Sequence, residues 1–216
     1  MDKKQSRWLL ILAVMSLFSV TLYTPKAHAD SGWMKYFKKD SLLNTYKTCY
    51  AVQEDVLWQG TYGDGVIIND GKTQKTISNK NSRSTPPVND GLVSDYITCI
   101  TIDEMRGRVW IGTNEGLSSC NLEAKEWNRY TEGKDLPNNI IRAMTMDDSG
   151  NLWVGTPSGV VMFDGETWKK FDESNGLLQA SVHSIKSKGN SIWVGTIGGS
   201  VSRYKDGQWQ TVVGFD

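Results

Sequence analysis

Histidine and cysteine are scarce in this chain of 216 residues, which contains two His and three Cys. Zinc and copper sites usually take three or four ligands of these types, and no two of these Cys stand in a CxxC spacing, so a His/Cys metal centre is disfavoured. The chain also lacks an excess charge of either sign, with 24 Lys and Arg against 24 Asp and Glu. Without a basic excess there is no field to hold a phosphate backbone. We therefore expect no metal, no cofactor and no nucleic-acid partner.

Common enzyme signatures are absent as well. The chain has no GxSxG, HExxH or GxxxxGK[ST] pattern, and no Rossmann glycine triplet stands between a strand and a helix. His183 is the only His after residue 29. It lies in a segment typical of a strand, where a lone His is more often a partly exposed neighbour than a base. We therefore assign no catalytic residue.

No hydrophobic run reaches the length of a transmembrane helix. The longest, Trp8–Tyr23, has 16 residues and includes Ser and Thr, whereas a span needs about 18 or more. Basic residues precede it at positions 3, 4 and 7, and Ala27-His28-Ala29 follows it. This order is typical of a secretory signal peptide. We expect residues 1–29 to be that peptide, residues 30–216 to be the mature domain without a membrane span, and the protein to be periplasmic.

Glycine and tryptophan are abundant instead, with 21 Gly and 9 Trp. Much of this abundance comes from four copies of one pentapeptide. The copies are Leu57-Trp58-Gln59-Gly60-Thr61, Val109-Trp110-Ile111-Gly112-Thr113, Leu152-Trp153-Val154-Gly155-Thr156 and Ile192-Trp193-Val194-Gly195-Thr196. Successive Trp are 52, 43 and 40 residues apart. Repeats of about 40 to 50 residues are typical of propeller blades.

The segments around each pentapeptide predict four short strands per repeat. An alternating apolar segment such as Tyr96–Ile102 precedes it, and a turn such as Asp147–Asn151 connects the two. A Gly with a small apolar neighbour follows, and a last segment carries a second Trp at position 127, 168 or 209. Period-two patterning with tight turns and no helical stripe favours an antiparallel sheet. The predicted fold is all-β, a β-propeller of four-stranded antiparallel blades.

Eight residues of the repeats have a structural interpretation. The Trp supplies packing area between neighbouring sheets, and the Gly two positions later lets backbone or a neighbouring ring approach closely. We call them the motif tryptophans and motif glycines. They are Trp58, Gly60, Trp110, Gly112, Trp153, Gly155, Trp193 and Gly195.

Four repeats leave the size of the ring open. Gly32–Phe37 is predicted as a spare N-terminal outer strand beside the four recognisable repeats. Propellers have about four to eight blades. The chain is therefore either four-bladed, part of a larger ring, or half of an eight-bladed ring formed by a homodimer.

The repeats also resemble a known family. Leu136–Phe171, with the sequence LPNNIIRAMTMDDSGNLWVGTPSGVVMFDGETWKKF, resembles the two-component-regulator propeller repeat, and the resemblance extends over essentially all of residues 30–216. It implies a β-propeller of the kind found in extracytoplasmic sensor regions of bacterial signalling proteins. Members of that family are read as periplasmic ligand sensors, often joined to a membrane-spanning kinase or cyclase.

Function in propellers usually lies on loops at one end of the channel, because packing occupies the strands. We define the mouth face by the loops between second and third strands and by the starts of the first strands. Small polar groups, two acids and one Tyr are expected there as candidate ligand-binding residues. The candidates are Tyr62, Asp64, Asp95, Asn114, Glu115, Asn139, Ser158 and Ser181. They suit a small polar ligand, and equally a water-filled channel mouth.

Two further features have alternative interpretations. The polar insertion Ser78–Asp90 predicts a long surface loop over the mouth face, either a lid or a tolerated insertion. Cys49 and Cys99 occupy similar places in successive repeats and are the best candidate disulfide pair. The alternative is that these Cys, with Cys120, are small apolar fillers in strands.

Three hypotheses of function follow. The first is an exported, non-enzymatic propeller that binds a small ligand or a signalling protein as a sensor module. The second is a propeller lyase or hydrolase that uses Asp64, Asp95 and Glu115. The third is a structural assembly module that recruits another chain through the Trp33 strand by β-augmentation.

Overall fold

Sixteen strands in four separate sheets make up the computed structural model, which describes residues 46–79 and 91–213. Blade 1 contains β1 (Lys47–Gln53), β2 (Val56–Thr61), β3 (Val66–Asn69) and β4 (Gln74–Ile77). Blade 2 contains β5 (Ile97–Asp103), β6 (Arg108–Thr113), β7 (Leu117–Asn121) and β8 (Trp127–Tyr130). Blade 3 contains β9 (Ala143–Met146), β10 (Leu152–Thr156), β11 (Gly159–Phe163) and β12 (Trp168–Phe171). Blade 4 contains β13 (Val182–Lys188), β14 (Ser191–Thr196), β15 (Val201–Lys205) and β16 (Gln208–Val213).

In every blade the strands pair antiparallel and in chain order. The predicted all-β class and four-stranded blades are confirmed. Across residues 46–79 and 91–213, no helix is long and apolar enough to cross a membrane. The expected signal peptide, the segment Gly32–Phe37 and positions 80–90 of the predicted insertion lie outside the described residues.

The motif tryptophans hold consecutive blades together. Trp58, Trp110 and Trp153 are at most 2% exposed. Trp58 of blade 1 clusters with Val109 and Ile111 of blade 2, and the other two reach the following blade in the same way. Burying about 150 to 250 Å² of indole surface is worth on the order of 4 to 6 kcal/mol before chain entropy is subtracted. Interblade packing is therefore the main interaction of these residues, as predicted.

The second tryptophan of a repeat packs backward against the motif tryptophan of the preceding blade. The ring centroids of Trp110 and Trp168 are 6.1 Å apart, and those of Trp153 and Trp209 are 6.5 Å apart, both edge to face. This geometry is favourable for aromatic pairs. The outer strand of one blade thus closes the junction that the second strand of the previous blade begins.

The motif glycines make room for the first strand of the next blade. A Cβ on Gly112 would lie 2.6 Å from Ile141 Cγ2 and 2.6 Å from Cys99 Sγ. A Cβ on Gly155 would lie 2.5 Å from Val182 Cγ1. The expected close approach is present, and the approaching group is a β-branched side chain rather than backbone or a ring.

The turn after the first strand of blade 3 anchors its motif tryptophan. Asp147 Oδ1 accepts hydrogen bonds from the N–H groups of Ser149 and Asn151, both at 2.9 Å. Asp147 Oδ2 accepts from Trp153 Nε1 at 2.8 Å. The predicted turn chemistry is confirmed, and the same carboxylate satisfies a buried indole N–H.

One arginine links blades 2 and 3 at the rim opposite the mouth face. Arg106 donates to the carbonyl oxygens of Gly150 at 2.6 Å and Asp164 at 2.7 Å, both in turns of blade 3. Its guanidinium is fixed by the buried carboxylate of Asp103 at 3.0 Å. Charge-assisted bonds of this kind add direction to a junction that apolar packing leaves free to slide.

The described blades form an arc rather than a closed ring. The first strands of consecutive blades lie side by side, β1 with β5, β5 with β9 and β9 with β13, whereas β13 and β1 make no comparable contact. Accordingly Trp193 is only half-buried, and a Cβ on Gly195 would meet only Ser184 of its own blade. A closed four-bladed ring is therefore not what the described strands form, and the larger rings stay predictions.

All three cysteines are free thiols, so the candidate pair Cys49 and Cys99 is not formed. Burial raises the pKa of each thiol to about 12. Cys49 and Cys99 point at the motif glycines of their own blades. The filler interpretation describes them better, since a neutral thiol packs as a small apolar group.

We predict that Gly112→Ala destabilises the protein by about 1 to 3 kcal/mol, because the new methyl group overpacks the junction between blades 2 and 3. Gly195→Ala is the matched control. Its methyl group meets only the exposed Ser184 side chain, which is free to rotate, so we expect a change within about 0.5 kcal/mol. Urea unfolding of both variants measures the difference, and equal losses would contradict the role given to the motif glycines.

Candidate functional site

Each loop of the mouth face is held by the threonine that ends the pentapeptide. The buried Thr113 hydroxyl donates to the Gly116 carbonyl at 2.7 Å and accepts from the Glu115 N–H at 3.0 Å. The same two bonds recur from Thr61 to Gly65 and Asp64, and from Thr156 to Gly159 and Ser158. The backbone of the loop is thereby satisfied locally, and its side chains are free to point outward.

The predicted site residues all lie at this face. Five are exposed: Tyr62, Asp64, Asn114, Glu115 and Ser158. The other three are half-buried: Asp95, Asn139 and Ser181. The loops of four blades bring them to one end of the arc, and no described strand covers the exposed five.

Asp95 has a structural task that the sequence did not indicate. One carboxylate oxygen accepts from the Asn79 N–H at 2.6 Å, and the Asp95 carbonyl accepts from the N–H groups of Gly63 and Gly65 at 3.1 and 3.0 Å. The Asn79 side chain donates in turn to the carbonyl of Val93 at 2.6 Å. Asp95 therefore joins the loop of blade 1 to the start of blade 2, which leaves its carboxylate only partly available for a ligand.

Other predicted residues also hold neighbouring segments. Their hydrogen bonds run from Ser94 Oγ to Asn114 Oδ1 at 2.9 Å, from Glu132 N–H to Asn139 Oδ1 at 2.8 Å, from Asn138 Nδ2 to Ser158 Oγ at 3.4 Å, and from Arg142 Nη1 to Ser181 Oγ at 3.1 Å. The side chains of Asp64 and Glu115 have no printed hydrogen bond of this kind among the described residues. These two acids are the polar groups best placed to meet a ligand.

Three tyrosines form an exposed aromatic patch on this face. We call Tyr46, Tyr62 and Tyr96 the tyrosine patch; they are 63%, 66% and 42% exposed. The ring centroid of Tyr62 lies 4.9 Å from that of Tyr96 and 6.3 Å from that of Tyr46, with interplanar angles of 78° and 80°. Exposed aromatic clusters of this kind mark interaction sites more often than isolated apolar residues do.

Backbone contacts fix the tyrosine patch across two blades. The Tyr62 N–H donates to the Tyr46 carbonyl at 2.9 Å, and Tyr62 forms an isolated antiparallel bridge with Tyr96. Sequence reasoning found Tyr62 but missed the other two. The available signal was a repeated Tyr-x-Thr-Cys at 46–49 and 96–99, which places both Tyr at the same point of their blades.

A charged pair accompanies the tyrosine patch. Partial burial lowers the pKa of Lys47, and the nearby Asp64 carboxylate opposes this by raising the pKa. Both charges remain at neutral pH, because an ordinary lysine pKa is far above 7. The patch is therefore flanked by one cation and one anion that can bond polar groups of a ligand.

The mouth face continues as an aliphatic surface in blades 3 and 4. Ile140 precedes the first strand of blade 3 and is 44% exposed, and Ile197 follows the pentapeptide of blade 4 and is 61% exposed. The face is thus more apolar than the ring of small polar groups that the sequence suggested. In the part of the chain that the structure describes, no group of three or more His, Cys, Asp or Glu is placed to hold a metal ion.

We predict that Thr113→Val destabilises the protein by about 1 to 3 kcal/mol, because it removes two bonds from buried or half-buried backbone groups without changing side-chain volume. The Glu115 amide should also exchange hydrogen faster. Thr211→Val, at an exposed position of β16, is the control and should change the free energy of unfolding by less than about 0.5 kcal/mol. Hydrogen exchange and urea unfolding measure both effects; an unaltered Glu115 amide would rule out the hydroxyl as its partner.

Comparison with known proteins agrees with the repeats. Residues 135–158 match the family model described as two component regulator propeller. A curated relative, histidine kinase P4 of Formosa agariphila, is 29% identical over 157 residues. The match covers 68% of this chain and 11% of the kinase. The chain therefore spans about a tenth of the length of that relative.

Solved structures show the same architecture. One, described as the extracellular domain of the hybrid two component system BT3049 from B. thetaiotaomicron, superposes with a TM-score of 0.60 at 21% identity, over 77% of this chain and 23% of that one. Another, described as the extracellular domain of the one component system BT4673 from the same organism, has a TM-score of 0.59 at 22% identity, over 78% and 22%. The resemblance seen in the repeats is confirmed: this chain is an arc of propeller blades that carries the two component regulator propeller repeat.

Proposed function

We propose that this chain is an exported, non-catalytic sensor module that binds a small ligand at the tyrosine patch. The basic, apolar and Ala-x-Ala order of residues 1–29 supports export. The family match and the relatives titled as a histidine kinase and as extracellular domains of signalling systems support the sensor role. The periplasm is the compartment that these features favour.

The exposed tyrosine patch is the observation that carries the proposal. Tyr rings offer contact area at low cost in conformational entropy, and their hydroxyls add hydrogen bonds. The side chains of Lys47 and Asp64 lie beside this surface, and Glu115 lies on the same face. The matching ligand is a small molecule with one apolar face and several polar groups at its edge.

The hydrolase or lyase hypothesis has weaker support. Of its three proposed carboxylates, Asp95 already accepts a backbone hydrogen bond within the chain. An acid–base pair needs groups whose environments shift their pKa values apart, and the proposal makes no use of such a pair. The assembly hypothesis concerns Trp33, which lies outside the described residues and stays a prediction.

The test is a ligand screen on the purified chain by thermal shift, with a panel of sugars, amino acids and short peptides. For a ligand found in this way, we expect Tyr62→Ala to lower affinity about tenfold, since it removes a central ring of the patch. Tyr62→Phe keeps the ring and should lose less. Calorimetric titration measures both constants.

Met105→Ala is the control for this experiment. Met105 is 74% exposed and lies in the turn between β5 and β6, at the rim opposite the mouth face, so its removal should leave affinity unchanged. A ligand whose affinity falls with Met105→Ala but not with Tyr62→Ala would place binding elsewhere. Consumption of the ligand during titration would instead favour the enzyme hypothesis.

A further inference from the structure

The outward face of blade 4 differs from the same face of the other blades. Residues paired across antiparallel strands share one face of the sheet. In blade 4 one row of this face reads Lys186, Trp193, Arg203 and Gln210, and the next row reads Lys188, Ser191, Lys205 and Gln208. We call these eight residues the end face. It is the face by which every earlier blade packs on its successor, and here Trp193 is only half-buried.

The row through the motif tryptophan shows the change in chemistry. The residue paired with the motif tryptophan on the first strand is Ala51, Thr101 or Thr145 in blades 1 to 3. Its partner on the third strand is Ile68, Ser119 or Met162. In blade 4 these two positions are Lys186 and Arg203. Neutral packing positions are replaced by two cations, and burying unpaired cations against another apolar blade would be strongly unfavourable.

The whole basic charge of blade 4 lies on the end face. Residues 176–213 contain four Lys and Arg and one acid, whereas residues 46–79 and 91–175 contain 11 basic and 18 acidic residues. The four cations are Lys186, Lys188, Arg203 and Lys205. The only acid of blade 4, Asp206, lies in the following turn, 4.0 Å from Lys205 Nζ. One end of an otherwise acidic arc is therefore positive.

Arg203 is held in place and still has donors to offer. Its guanidinium lies over the Trp193 ring, 5.6 Å from the centroid, and Nη2 donates to Gln210 Oε1 at 2.8 Å. Its Nε has no hydrogen-bond partner among the described residues and is shielded from water. A guanidinium fixed by a cation–π contact loses little freedom when it binds a carboxylate in two-pronged geometry.

We infer that the end face binds an acidic protein surface, with Asp and Glu carboxylates opposite Lys186, Lys188, Arg203 and Lys205. A second copy of this chain fits less well. At the other end of the arc Leu57 and Gln59 are 1% and 5% exposed, and two end faces would oppose cation with cation. Stacking of a sugar ring fits less well too, because the Arg203 guanidinium already lies on the Trp193 ring.

The test uses the full chain and a fluorescent oligo-glutamate peptide of about 16 residues, with anisotropy as the readout. We expect salt-dependent binding, because contacts between exposed charges weaken as ionic strength rises. Lys186→Glu with Arg203→Glu should lower affinity by about tenfold or more. Lys186→Gln with Arg203→Gln should give a smaller loss and guards against misfolding of the charge-reversed variant.

Lys72→Glu with Lys134→Glu is the matched control, since both residues are exposed and the net charge changes by the same amount. It should stay within about threefold of the unmodified chain. Equal losses in both pairs, or no binding of oligo-glutamate, would overturn the inference. Tighter binding of duplex DNA or heparin through the same residues would replace the protein partner with a polyanion. Salt-sensitive self-association in sedimentation velocity that disappears in the end-face variant would assign the face to a second copy.

Discussion

The fit of a tryptophan and a glycine on one blade against the first strand of the next is the constraint on which this structure depends. The indole supplies buried area, and the missing Cβ of the glycine lets an Ile or Val of the next blade come close enough to cover it. Each blade is stabilised mainly through its neighbours, as in other repeat architectures. The strand pairs within a blade then only need to present the tryptophan and the glycine on the same face.

The fourth repeat keeps this pentapeptide but changes its surroundings. Ser184, Lys186 and Arg203 stand where small or apolar residues line the earlier junctions. The repeat pattern is therefore conserved in its backbone logic and altered in its surface chemistry. Polar outer faces on terminal repeats keep such arrays soluble, and here the same change also concentrates positive charge.

The architecture was largely predictable from the sequence, because the period of the pentapeptide and the alternation around it reflect backbone geometry directly. The binding surface was less predictable. Tyr46 and Tyr96 stand before strands, where alternation no longer tells which way a side chain points, so the tyrosine patch required the bridge between Tyr62 and Tyr96. The second role of Asp95 depends on Asn79, and that contact joins the two ends of an insertion whose path no local pattern encodes. Closure of the ring was equally out of reach, since it depends on the angle between blades.

The threonines of the mouth face have a consequence for how such proteins diverge. Thr61, Thr113 and Thr156 satisfy the loop backbone from within each blade, so the residues between Thr and Gly carry almost no burden of holding the fold. Tyr-Gly-Asp, Asn-Glu and Pro-Ser occupy equivalent loops of one chain. Duplicated blades can therefore acquire new loop residues independently, and chemical preference at the mouth can drift while the packing between blades stays under constant selection.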